Sequence, residues 1–422
     1  MKKIPFHYAW VVLVSGMTIS ALSSGIRGSF GVLVDPLVKQ YGWSVGAISL
    51  AYSLEFLSAV GVALVAGIAA DKVGARKVLV VTVVAFTSGL LLTGTVTELW
   101  QLYVYFGLLA GGLGIMGNVV VPVIVTRWFA RRVGLALGVM WASLGAGGAV
   151  AAPLLSWLIA RVGWRQGFFI VGVAAGGLML LAAYFTRGRP QDMHMEAYGE
   201  EAGASAQAQT AAASPPLSFG FVRRTPAFWH LVNIHFLGCV GHSVFLAQIV
   251  YMAIQRGISP LTAAGLLSAI TGFSIFSRFV TPILAERIGG KGTLTIAFLL
   301  QSVPILLLFW THQTWQFYLF AAVFGIGFGA EMPAFPIINK QYYGTRAPLT
   351  TIYSWQLAGA LSGMALGGGL GGALYDWTGA YTWSITVGFL FNIVGLVPIL
   401  LLPRHQPGRV ILAPVPSAGG MP

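Results

Sequence analysis

The sequence predicts an all-α integral membrane protein: twelve transmembrane helices in two pseudo-symmetric six-helix bundles. Three observations carry that expectation. Hydrophobic residues make up 57% of the 422-residue chain and charged residues only 8%, where a soluble domain carries about 25% charged residues. Twelve apolar stretches approach the roughly 20 residues that a helix needs to cross a bilayer. Segments of the first half then recur in the second with the same membrane orientation: GLGIMGNVVVP (112–122) lies over GIGFGAEMPAF (325–335), and DKVGARK (71–77) over ERIGGKG (286–292). Repeats of this kind point to a two-domain carrier with its site near the midplane, between the halves.

The spans, numbered 1 to 12, are expected at 9–34, 45–70, 78–97, 101–126, 134–160, 166–186, 228–255, 260–285, 293–311, 315–338, 348–374 and 381–402. The start imitates a signal peptide, but its apolar run continues to Val34, too long for that purpose, and it reads as an uncleaved span 1. Residues 1–186 form an N-terminal bundle. Residues 187–227 form a cytoplasmic central loop containing EEAGASAQAQTAAASPP, which is polar and aperiodic. Residues 228–402 form the second bundle and 403–422 a cytoplasmic tail.

Lysine and arginine set the orientation. With the N-terminus inside, the outer loops hold only Lys39, Arg161, Arg165 and Arg256. Arg27 and Arg278 lie within spans, and the other 18 of the 24 fall inside. Both termini are therefore expected in the cytoplasm, in a multi-pass protein of the cell inner (plasma) membrane. The same bias accounts for the net charge of +13 without a nucleic-acid partner; the lipid bilayer is the expected surroundings and the protein is expected to be a monomer. A single cysteine, Cys239, excludes an internal disulfide. The runs GIGFG (325–329) and GGGLGG (367–372) lie inside apolar spans without the strand–turn–helix setting of a nucleotide loop, and read as close helix packing. No P-loop, H-E-x-x-H or nucleophile elbow occurs, so neither catalysis nor ATP-driven pumping is expected, and no cofactor or metal is assigned.

A charge at the bilayer centre costs about 2.5–3.5 kcal/mol on insertion scales, so it normally faces a cavity. Arg278 precedes Glu286 by eight residues, about 12 Å of helix, which places it near the middle of span 8, on a face with Thr271 and Ser274. Its repeat equivalent is Ala63, so it breaks the internal symmetry. A guanidinium stays charged and binds carboxylate bidentately; Arg278 is read as the clamp for a substrate carboxylate. Arg27 in span 1 shares a polar or small stripe with Ser20, Ser24 and Gly31. It is either a second anion contact or a side chain reaching toward the outer headgroups, with Asp35 as an available partner.

His242, the repeat mate of Arg27, shares a face with His235 and Cys239. Three ligands on one helix are weak grounds for a metal, and His242 is instead a candidate for substrate contact or the coupled proton. Asn118 and Glu331 are repeat equivalents. Asn118 is a hydrogen-bond candidate for a hydroxy acid and Glu331 a proton-carrier candidate. Glu55 is a third such candidate, with no cationic neighbour that the sequence names. Phe335, one turn after Glu331, is a candidate size limit.

Several stretches also carry a family resemblance. GIAADKVGARK (67–77) resembles the signature loop of the major facilitator superfamily, with Gly67, Asp71, Gly74 and Arg76 at its positions and Glu286 as the second-half counterpart of Asp71. Asp71 at a helix end pairs with Arg76 or caps a neighbouring helix N-terminus, and such contacts hold a gate shut. TRWFARRVGLALG (126–138) resembles the corresponding loop of oxalate/formate antiporters and monocarboxylate transporters. FSIFSRFVTPILAERIG (273–289) resembles span 8 of the monocarboxylate family, which carries an Asp-x-x-x-Arg pair; Arg278 falls on the arginine and Ser274 on the aspartate. GIRGSFGVL (25–33) resembles the end of that family's first span, where a lysine is common; here Gly28 stands near that position with Arg27 adjacent. The oxalate exchanger's span 11 lysine has no counterpart in QLAGALSG (356–363). The resemblance implies proton-coupled transport of small monocarboxylates such as L-lactate or pyruvate by alternating access, with Arg278 as the substrate-binding arginine. Its rivals are a carboxylate exchanger of the oxalate/formate type and a non-transporting carboxylate sensor, for which the short tail offers no signalling domain.

Overall fold

A computed structural model describes residues 7–69, 73–129, 132–199, 217–344 and 347–403. It holds twelve helices long and apolar enough to cross a membrane. Spans 1–6 are Ala9–Gly28, Val45–Ala69, Ala75–Thr93, Leu99–Trp128, Val133–Val162 and Trp164–Phe185. Spans 7–12 are Pro226–Gln255, Pro260–Ile288, Gly290–Phe309, Thr314–Tyr343, Leu349–Thr378 and Thr382–Leu401. The expected all-α membrane fold is the one observed; among the described residues, paired extended backbone is confined to an isolated bridge between Phe129 and Tyr198. The end of the bundle where span 1 begins is called terminal below, the opposite end distal.

Span 1 is shorter than its apolar run. The helix breaks at Ser29 and Phe30 and resumes as Gly31–Tyr41. Span 7 breaks three residues beyond the repeat-related place, at Ala247 and Gln248, and resumes as Ile249–Gln255. The two breaks touch: a Cβ on Gly31 would lie 3.0 Å from the carbonyl oxygen of Ala247. Span 4 departs from regularity differently, with a π-helical stretch at Tyr103–Gly112 and a 3-10 turn at Leu113–Ile115. Such wide turns tend to mark functional positions, and this one lies against span 2.

The outer surface is that of a lipid-facing protein. Leu154, Leu181, Phe276 and Leu400 point outward, and Trp100, Trp310, Trp315, Trp377 and Trp383 are exposed at the distal end, where indole rings anchor at the membrane interface.

GGGLGG is a packing element, as its setting within an apolar span suggests. Gly368 and Gly372 of span 11 face span 2, where an added Cβ would lie 2.4 Å from the Tyr52 ring and 2.8 Å from the Gly46 Cα. Gly367 and Gly371 face span 7, where it would lie 2.4 Å from the Val240 oxygen and 1.9 Å from the Val244 oxygen. Span 11 can thus touch both halves only because these positions lack a side chain. Gly371→Val is expected to destabilise the protein by about 1–3 kcal/mol, because a helix carbonyl cannot retreat as a side chain can. Gly61→Ala, at a position open on all sides, is the neutral control. Thermal unfolding followed by monodispersity on a sizing column reads the difference.

Candidate functional site

A cavity of about 260 Å³ lies between the two sets of six spans. Its wall is mostly apolar, with Trp141, Leu267, Phe328, Met332 and Leu357 among its lining residues. Its charged groups are Arg27 of span 1, Glu55 of span 2 and Arg278 of span 8.

Arg278 is only partly covered and lines this cavity, and its Nε makes no hydrogen bond. No carboxylate pairs with it among the described residues. Its polar neighbour at the wall is Tyr353 of span 11, and Thr271, two turns earlier in its own helix, lines the same cavity. Ser274, expected on the same stripe, is elsewhere. It is fully buried, donates to the Thr271 oxygen at 2.7 Å, and packs on Gly329 of span 10. Three residues turn a helix by about 300°, and the resulting offset of roughly 60° from Thr271 is enough to move a side chain from the cavity to a helix contact.

Arg27 and Glu55 form a buried ion pair, with Nε donating to Oε1 at 2.6 Å and side chains only 7% and 1% exposed. Two expectations are corrected here. Glu55 does have a cationic neighbour, and the partner of Arg27 is not Asp35. Asp35 lies eight residues beyond Arg27, about 12 Å along a helix, and pairs with Lys39 one turn on, at 2.8 Å. Nor does Arg27 reach for headgroups; it is 6% exposed. The π-helical stretch of span 4 makes room for the pair: a Cβ on Gly111 would fall 2.4 Å from the Glu55 Cγ. The contact is single-pronged, since Nη1 of Arg27 and Oε2 of Glu55 have no hydrogen-bond partner among the described residues.

His242, Glu331 and Phe335 do not line the cavity. Glu331 accepts from the Gln301 amide of span 9 at 2.9 Å, and His242 Nδ1 lies 3.9 Å from the same carboxylate oxygen. His242 meets the Phe328 ring edge-on at 5.1 Å, so Phe328 stands between this network and the cavity. Phe335 is fully buried, stacked on His235 at 4.1 Å and packed beside Phe298 and Ile338. It cannot limit substrate size from there; Phe328 and Met332 of the same helix occupy the wall. The metal-type grouping also changes membership: His235, Cys239 and Glu331 place their ligand atoms within 4.8 Å of one another, with a carboxylate from another span in the place of His242.

The other sequence candidates divide. The side chains of Asn118 and Glu286 fall outside what the structure describes, as does Asp71 altogether. Gly67 lies in the last turns of span 2, and Gly74 just before span 3 has φ 97°, a backbone that favours glycine. Arg76 donates to the Tyr184 oxygen at the end of span 6, at 3.2 Å.

The distal end is closed by groups that the sequence reading missed. Asp376, at the end of span 11, accepts from the backbone N–H groups of Val45 at 3.0 Å and Gly46 at 2.7 Å. It thereby caps the N-terminus of span 2 in the opposite half, where a negative charge is favoured. Gln248, at the break of span 7, donates to Ser49 of span 2 at 3.3 Å and to the Gly368 oxygen at 3.2 Å. The signal for Asp376 is only an acid at the distal end of a glycine-rich span. Asp376→Ala is expected to remove about 1 kcal/mol of cap energy and shift the open-to-closed ratio at the distal end about fivefold. Pulsed electron–electron distances between labels on the distal ends of spans 2 and 11 read that shift.

The sequence profile of the Major Facilitator Superfamily matches residues 13–347 and 283–419. The oxalate:formate antiporter of Oxalobacter formigenes is 26% identical over 419 residues, covering 97% of this chain and 96% of that protein. Monocarboxylate transporter 13 of Rattus norvegicus is 27% identical over 405 residues, covering 94% and 89%. Among solved structures, a bacterial homologue of the human lysosomal transporter Spinster, inward-facing and unoccupied, is similar with a TM-score of 0.71 at 17% identity over 94% of this chain and 97% of that one. The nucleoside transporter NupG is similar with a TM-score of 0.67 at 14% identity, over 92% and 98%. At these identities the two structures bear on the fold.

Proposed function

The chain belongs to the major facilitator superfamily, and on that premise we propose that it carries small monocarboxylates of the L-lactate and pyruvate kind across the cell inner membrane, each with a proton, by alternating access. The observation that carries this reading is Arg278, a guanidinium on the wall of a mostly apolar cavity with no carboxylate partner among the described residues. A charge held away from water is costly unless paired. A substrate carboxylate supplies the pair, and the apolar wall suits a short carbon skeleton. Its similarity to a monocarboxylate transporter and an oxalate:formate antiporter agrees with that chemistry. Asn118 remains the proposed hydrogen-bond partner for a 2-hydroxyl.

The excess of lysine and arginine at the terminal end puts both termini in the cytoplasm. The contacts of Asp376 and Gln248 then tie the two halves together on the outer side, as an inward-facing state requires. A monoanion moved against an inside-negative potential costs about 2.3 kcal/mol per 100 mV, and a proton moved with it cancels that cost. Of the three acid–base candidates, Glu55 is the one at the cavity wall. In this reading the monocarboxylate binds at Arg278 while Glu55 is ionised, and Glu55 takes the proton afterwards. His242 and Glu331 lie behind Phe328 and serve the packing of spans 7, 9 and 10.

Uptake of labelled L-lactate by proteoliposomes, with and without an inward proton gradient, tests the proposal. Gradient-driven accumulation is expected; uptake indifferent to the gradient would sink the proton coupling. A second reading, exchange of two carboxylates, is favoured by the second cation at the wall, Arg27. Counterflow that proceeds unchanged across pH is the outcome that selects it.

A further inference from the structure

We propose that Arg27 is a second carboxylate subsite which Glu55 masks, so that Glu55 decides whether the cavity takes one carboxylate group or two. This rests on the carboxylate reading of the cavity and extends it to substrate valence.

Three observations bear on it. Arg27, Glu55 and Arg278 all line one cavity, so the pair is not a remote structural brace. The Arg27–Glu55 contact uses one nitrogen and one oxygen, although a guanidinium and a carboxylate readily form two parallel bonds. Nη1 of Arg27 and Oε2 of Glu55 are left buried without partners among the described residues. Arg27 therefore keeps donor capacity that its internal partner does not use, on a residue that faces the same space as Arg278.

Charge counting gives the consequence. With Glu55 ionised, Arg27 is compensated and Arg278 alone is not, which matches a monocarboxylate. With Glu55 protonated, Glu55 has taken one proton from solvent and lost its charge. The wall then presents two uncompensated guanidinium groups, which matches a short dicarboxylate with one carboxylate group at each. Glu55 acts as an internal carboxylate that occupies the second subsite until it is neutralised or displaced. Among the described residues the groups around it are few. Arg27 reaches it from span 1 and Tyr52 lies one turn earlier in span 2. Span 4 offers it Gly111, which has no ionisable group. Tyr52 in turn faces Ser243 and Cys239 of span 7. No second acid among the described residues stands ready to replace Glu55 on Arg27.

The test uses the full chain in lipid nanodiscs at neutral pH, with L-lactate and malonate as probes and titration calorimetry as readout. Wild type is expected to bind L-lactate in preference to malonate. Glu55→Gln, which keeps the shape and removes the charge, is expected to raise malonate affinity relative to L-lactate by about tenfold or more. The double variant Arg27→Gln with Glu55→Gln is expected to lose that gain. Lowering the pH should move wild type in the same direction as Glu55→Gln, and Arg27→Gln, which lacks the subsite, corrects for titration of malonate itself. That pH series carries the test if Glu55→Gln does not fold. An unchanged malonate-to-lactate ratio in Glu55→Gln, with lactate binding intact, overturns the masking role, as does a gain that persists without Arg27. A wild type that binds neither probe instead overturns the carboxylate reading beneath it.

Discussion

Arg278→Gln is expected to abolish monocarboxylate binding while making the empty protein more stable. The first half follows from a cavity-wall guanidinium that a bound carboxylate covers and pairs: removing one partner of such a pair costs about 2–5 kcal/mol, a loss of roughly thirtyfold to several thousandfold in affinity. Arg278→Lys should recover part of the binding, since it restores the charge but not the two parallel hydrogen bonds. The second half follows from the missing partner. Arg278 has no carboxylate beside it among the described residues, so a neutral side chain removes an uncompensated charge and breaks no ion pair. Thermal unfolding with and without saturating L-lactate measures both effects, since a ligand that binds only the folded state raises its melting temperature. The expected pattern is a raised melting temperature without ligand and no further rise with it. A lowered melting temperature without ligand, with the lactate-induced rise retained, would mean that Arg278 braces the helices instead.

Glu55→Ala and Arg27→Ala should each have the opposite effect on stability, with a loss of about 3–5 kcal/mol, because each leaves its partner charged, buried and unpaired. The pair lies with side chains 7% and 1% exposed, so solvent screening is weak. Replacing both by Met fills the volume without charge and is expected to recover most of the loss. The two single losses should therefore fail to add, and the coupling read from the double-mutant cycle should be large. Melting temperatures of the four proteins in one detergent decide the matter. Additive losses would show that the two side chains do not depend on each other. Transport separates the roles further: the double Met variant should fold yet lose proton-driven uptake, because the residue proposed to take the proton is gone.

Arg278 could be found in the sequence because lipid makes charge conspicuous. A cation in an apolar run has few physical justifications, and its position in the run, short of Glu286, places it in depth. Its availability was suggested by Ser274, where an acid one turn earlier would have neutralised it. The Arg27–Glu55 pair could not be read in the same way. Its members are 28 residues apart on different helices. Their meeting depends on how spans 1 and 2 are rotated against each other and on Gly111 in a π-helical stretch, which leaves room for Glu55. Neither has a strong local signature. Phe335 and Phe328 show a different limit. Both are apolar residues on one long apolar helix, and a helix that is hydrophobic all round gives no clue to which face meets a cavity. The sequence reading put Phe335 at the cavity, whereas the structure has Phe328 of the same helix there.

The sequence by itself determined that twelve helices span the membrane, that the halves repeat, and that a lone cation lies deep in span 8. These follow from the cost of exposing backbone and charge to hydrocarbon, which acts on each segment separately and so is written in each segment. Only the tertiary structure decided which charge is spent on a neighbour and which has no carboxylate beside it among the described residues. That outcome turns on helix rotation and on kinks of a few residues, where apolar sequence is nearly silent. Arg27 and Arg278 look alike in the chain; packing gave Glu55 to one and an open cavity wall to the other.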